Sequence, residues 1–153
     1  MPVRVRAQRP PADPLPVYRR ARAADLPTAM SSGGSREHVP LTLFAREWAA
    51  WPDERVAMIR EAPQGCNEDD LCRIAAVVHA LCDRDGIAVP HWVWRHRSEV
   101  DLAWGRHCAM DGFIWDQTVA NAPSACAFHR VWFDHQFIGA GPSRRADSRR
   151  RVT

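Results

Sequence analysis

The stretch that most constrains this chain is "NEDDLCRIAAVVHALCDRDG", residues 67–86. Asn67 is a capping residue, and Glu68, Asp69 and Asp70 follow where the positive end of a helix dipole favours acids. Leu71, Ile74, Ala75, Val78, Leu81 and Cys82 then fall on one helical stripe. Gly86 stands where a helix is closed in the left-handed conformation. A helix with both ends specified and one apolar stripe must pack that stripe on other elements. The spacing predicts that Leu71, Ile74, Val78 and Leu81 face a core, with His79 and Cys72 at the margin of the stripe.

The flanking segments supply further helices. In "PLTLFAREWAAW", Leu41, Phe44, Trp48 and Trp51 recur at helical spacing, and Thr42 is a candidate N-cap. Trp51-Pro52-Asp53-Glu54 opens a second helix with proline in its first turn, directing Val56, Ile59 and the stem of Arg60 inward. Ala62-Pro63 stops it, because the residue before proline resists helical geometry. Val89-Pro90 is extended, and Pro90 opens a short turn of helix. Further on, the pattern gives a helix over about 112–120 and another over 123–129. "VWFDHQFI" follows as a short extended apolar segment. The fold class expected is mainly α: one small helical domain with a short extended C-terminal segment and disordered arms.

Charge divides the chain in the same way. The total is +3, and all 21 basic residues are Arg. Residues 1–40 carry seven Arg against three acids, residues 41–138 nine Arg against fourteen, and residues 139–153 five Arg against one. The segment 41–138 is thus acidic, at −5, and each end carries +4. Most of the prolines fall within 1–40, beside "SSGGS" at 31–35, and "GAGPSRRADSRRRVT" closes the chain. Such segments offer little apolar surface to offset the entropy of ordering. The expected organisation is a disordered Pro/Arg-rich arm at 1–40, a helical domain at 41–138 and a disordered basic tail at 139–153.

No run of about 18 apolar residues is present, which argues against a membrane span. The N-terminal arginines precede no apolar h-region, so no secretory signal is read. Five Cys without such a signal point to a reducing cytoplasm and free thiols.

Chemistry-bearing motifs are sparse. G-x-S-x-G, P-loop, G-x-G-x-x-G and H-E-x-x-H patterns are all missing from the sequence. "APSACAFHRVWFDHQF" gathers Cys126, His129 and His135, the candidates for a metal, but no C-x2-C pair accompanies them. The expectation is no metal and no cofactor, with Cys126 acting as a small hydrophobe. Seven Trp form a large aromatic load, and Trp92, Trp94 and Trp104 lie close in sequence with Arg95 and Arg97 among them. Trp and Arg dominate interface hot spots, so these five are the candidate contact residues for a protein partner. The alternative is weak nucleic-acid binding through Arg144, Arg145, Arg149, Arg150 and Arg151, electrostatic and without sequence preference. A second alternative is a structural metal or a thiol-dependent enzyme.

The segments "REWAAWPDERVAMIREAP", "DDLCRIAAVVHALCDRDGIAVPHWV" and "APSACAFHRVWF" together resemble an uncharacterised helical domain of high-GC bacteria. In those proteins the domain often follows a helix-turn-helix, and they carry regulator or antitoxin labels. The resemblance spans roughly two thirds of the chain and rests on structural punctuation. It implies a helical fold and a regulatory or antitoxin-like module that binds another protein, without catalytic residues. Residues 1–40 lack the helix-turn-helix pattern.

Overall fold

A computed structural model describes residues 20–32, 36, 38–105 and 108–139. Among them six α-helices run in the order α1 (Leu26–Ser32), α2 (Val39–Ala50), α3 (Arg55–Ile59), α4 (Glu68–Asp85), α5 (Gly112–Ala120) and α6 (Ser124–His129). Two short strands, β1 (Leu102–Ala103) and β2 (Val131–Trp132), pair in parallel with Leu102 opposite Val131. The mainly α expectation holds.

The ends of α4 form as the sequence dictates. Asn67 takes an extended conformation and its side chain accepts the Asp70 backbone N–H at 2.8 Å. Gly86 closes the helix at φ 69°, the left-handed region where a Cβ is penalised. Between the ends, every residue from Cys72 to Cys82 is buried. One stripe does not describe this helix, and Leu71 is only half-buried. The reason is its central place. It packs against α1 and α2, and also against α6, β2 and the 3-10 turn Val93–Arg95. A helix covered on all sides reads as apolar all round, and its three buried polar residues, Asp70, Arg73 and His79, must find partners. Arg73 meets Asp70 at 3.0 Å and donates from Nε to the Ala103 carbonyl at 2.9 Å, tying α4 to β1. His79 meets His129. Asp70 is thus more than a dipole partner: it is 2% exposed, whereas Glu68 and Asp69 are exposed.

The N-terminal boundary lies before Leu41. Ala23, Leu26 and Met30 are buried in the core, and α1 packs on α2 and α4. Arg20 forms a two-pronged pair with Glu54 at 2.6 and 2.7 Å, and the Ala21 amide donates to Glu47 at 2.6 Å. Residues 20–32 therefore belong to the folded unit. The Pro and Arg content around them masks an apolar spacing of three and four residues. The remaining expected arm, 1–19, and the tail from residue 140 lie outside the described residues.

Other local readings shift. His38, not Thr42, precedes α2; Thr42 sits in the first turn and its hydroxyl donates to the His38 carbonyl. Leu41, Phe44 and Trp48 are buried, and the Trp48 indole N–H donates to Asp85 at 2.6 Å. Trp51 lies half out of the core, with the Arg20 guanidinium 3.6 Å above its ring. In α3 it is Met58 and Ile59 that point inward, while Val56 and Arg60 are exposed. A preceding 3-10 turn, Pro52–Glu54, rotates the helix relative to a continuous α pattern.

Candidate interaction surface

Helix α5 is the anomaly of the fold. It begins at Gly112, whose φ of 76° suits glycine, and none of its nine residues is buried. Phe113 is 75% exposed and Ile114 79%. Met110 and Val119 extend the apolar surface on either side. Leaving a Phe or an Ile in water forgoes about 1.5–3 kcal/mol for each side chain. Nine residues are too few for a helix to be stable on propensity alone. Phe113, Ile114 and the half-buried Trp115 and Thr118 line one side of a groove of about 530 Å³, with Ala103, Trp104 and Cys108 also lining it. The two ionisable groups at the helix are Asp111 and Asp116.

The five predicted contact residues do not form one patch. Trp92 is 8% exposed, with its indole N–H donating to the Ile59 carbonyl at 2.9 Å. It is a core residue, which corrects its candidacy as a contact. Trp94 is 46% exposed and packs edge-on against His79 and Phe128. Trp104 is half-buried beside His38 and Phe137. The 3-10 turn explains the divergence of Trp92 and Trp94: at three residues per turn, positions two apart point about 120° away from each other. Arg95 and Arg97 are exposed. Among the described residues, guanidinium–indole contacts are Arg20 on Trp51 and Arg55 near Trp48.

The three metal candidates do not share a site. Cys126 is fully buried, with its sulfur 3.9 Å from the Phe133 carbonyl. His129 is fully buried between His79 and the His96 carbonyl. His135 is exposed and bonds the Asn121 carbonyl at 3.0 Å. Among the described residues no group of three Cys, His, Asp or Glu has metal-binding geometry. Burial pushes the Cys72, Cys82 and Cys126 thiols up to about 12, so none of these three is a thiolate near neutrality.

A second hollow, about 640 Å³, opens between α4 and the α5–α6 junction and includes Asp83, Arg84, Ser124 and His135. Its cation is already engaged, since Arg84 donates to the Ile138 carbonyl and to Asp85. No helix among the described residues is long and apolar enough to cross a membrane. Compared with known proteins, the chain matches no family model, no curated protein and no solved structure.

The sequence reading did not single out α5 as a contact surface. One signal was available: in "GFIWDQTVA" the apolar residues follow no single helical face, which is what a helix packed on its own core requires.

Proposed function

We propose that this chain is a non-enzymatic interaction module of regulatory or antitoxin-like kind, and that α5 is its contact with another protein. The observation that carries the reading is a helix with no fully buried residue, only Trp115 and Thr118 half-covered, that leaves Phe113 and Ile114 largely in water. Exposed apolar patches bounded by polar residues mark interaction sites, and aromatic side chains are enriched at interface centres. The adjoining groove gives a partner side chain a recess. The resemblance to a domain found in regulator- and antitoxin-labelled proteins supports the same class.

The test compares the full chain with Phe113→Asp/Ile114→Asp, each tagged and captured from the cells that make it, after nuclease treatment. Val56→Asp is the control, because Val56 is 58% exposed on a different helix. A specific protein retained by the parent and by Val56→Asp, but lost with the α5 variant, supports the proposal. Retention by all three places the contact elsewhere. Loss from all three on nuclease treatment favours nucleic-acid binding.

A further inference from the structure

His79 on α4 and His129 on α6 face each other in the interior, with Nδ1 of His79 2.9 Å from Nε2 of His129. Nδ1 of His129 meets the His96 carbonyl oxygen at 2.5 Å. Nε2 of His79 faces Asp83 Oδ2 at 3.3 Å, one turn along α4. His129 is wholly buried and His79 is 6% exposed, beneath the rings of Trp94 and Phe128. Asp83 is half in solvent.

The positions of the protons follow from what each atom can do. A carbonyl only accepts, so His129 Nδ1 carries hydrogen. If the ring is neutral, its Nε2 is a lone pair and accepts from His79 Nδ1–H. A neutral His79 then has its own lone pair on Nε2, aimed at the Asp83 carboxylate. Two acceptors face each other at 3.3 Å, and no hydrogen joins them. One added proton resolves this. With His79 as an imidazolium, Nε2–H donates to Asp83, Nδ1–H donates to His129, and His129 Nδ1–H donates to His96. Every contact is then matched. A second proton, on His129 Nε2, sets two N–H donors against each other at 2.9 Å in the interface between α4 and α6.

We infer that the line Asp83–His79–His129–His96 carbonyl is a proton-sensitive latch between α4 and α6, held by the hydrogen between the two rings, able to take one proton on His79 with every contact matched, and parted by a second on His129. The charged groups around it agree with this order. Asp83 faces His79 from the same helix, whereas among the described residues no carboxylate pairs with His129. The side chain of His96 pairs with Glu68 at 3.0 Å and adds positive charge near His129 when protonated. Burial lowers both rings, opposed at His79 by Asp83 and at His129 by the bond to the His96 carbonyl; two histidine neighbours push His129 further down, and it falls to about 4. The latch thus responds to acidification in two stages, and Trp94 and Phe128 cap it.

The experiment is long-range ¹H–¹⁵N correlation of the imidazole nitrogens in the full chain, titrated from pH 8 to pH 4. At the alkaline end both rings should be neutral and carry hydrogen on Nδ1. On acidification His79 should titrate first, gaining hydrogen on Nε2, while His129 stays neutral. Asp83→Asn should lower the His79 midpoint by about 0.5–1 unit, less than a fully buried pair would give because Asp83 is half-exposed. This variant changes a surface group and should leave the far-ultraviolet circular dichroism unchanged. Trp94→Phe should remove a fluorescence change that follows the His79 midpoint. Any one of three results would overturn the latch: His129 taking the first proton, an Nε2–H tautomer on neutral His79, or an unmoved His79 midpoint in folded Asp83→Asn.

Discussion

Asp70→Ala should cost this protein about 3–5 kcal/mol, the range for leaving a buried charge without its partner. The magnitude follows from the surroundings of Arg73. Its side chain is 6% exposed and that of Asp70 is 3%. Removing the carboxylate leaves the guanidinium with the Ala103 carbonyl but without its counter-charge. Arg73→Met alone should cost a similar amount, since it removes the counter-charge of the buried Asp70 carboxylate and leaves it the Asn67 amide at 3.3 Å. The double variant Asp70→Ala/Arg73→Met should cost far less than the sum. It loses the net value of the pair, close to zero against apolar replacements. It also loses one hydrogen bond to Ala103, about 1 kcal/mol. Urea unfolding at pH 7, followed by Trp fluorescence, yields the three energies and their coupling. A cost below about 1 kcal/mol for Asp70→Ala would show that Arg73 reaches water. Additivity of the two single changes would show that the groups do not interact. Either result would refute the reasoning.

The remaining expectations concern the core, the surface and acid. Leu81, fully buried in the C-terminal part of α4, should cost about 2–5 kcal/mol as Leu81→Ala, measured by the same unfolding. Phe113→Asp should change stability by no more than about 0.5 kcal/mol, because the Phe113 side chain is largely exposed; a larger loss would mean that Phe113 is covered. Burial lowers His129 from its ordinary 6.5 to about 4, so the unfolded chain binds this proton first as pH falls. The associated stability is whole above about 6.5 and drains away toward 4, roughly 2 kcal/mol of it between pH 7 and pH 5. His79, also lowered, acts in the same direction. Unfolding energies that stay flat between pH 7 and pH 5 would place His129 in water.

How far the sequence could be read depended on whether each signal was local. Asn67 and Gly86 act within one turn of backbone, and both ends of α4 form as their residues specify. The helices at Gly112–Ala120 and Ser124–His129 follow from similar punctuation. Inward and outward directions were harder. The burial of Cys72, Arg73 and His79 depends on elements packed behind α4, and nothing in the α4 sequence announces them. Arg73 and His79 even mimic a polar face. Their partners, Ala103 and His129, lie 30 and 50 residues away. At the N-terminus, composition outweighed three well-spaced apolar residues, Ala23, Leu26 and Met30, that dock on the core. Trp92 and Trp94 read as one cluster because a short helical turn after Pro90 does not announce which of its side chains points inward. The contact surface was hidden for a different reason: exposure of Phe113 and Ile114 is the failure of a chain to cover them, which shows only once the fold is assembled.

The central claim is that α5 meets another protein. The most direct measurement is photocrosslinking inside the cells that make the chain, with benzoylphenylalanine placed at residue 113 and, separately, at residue 56. Both positions are exposed and apolar, so they differ in surroundings rather than in chemistry. The account predicts a discrete adduct from position 113, of one mass greater than the chain alone, and none from position 56. Equal adducts from both positions, or an adduct from position 56 alone, would contradict it.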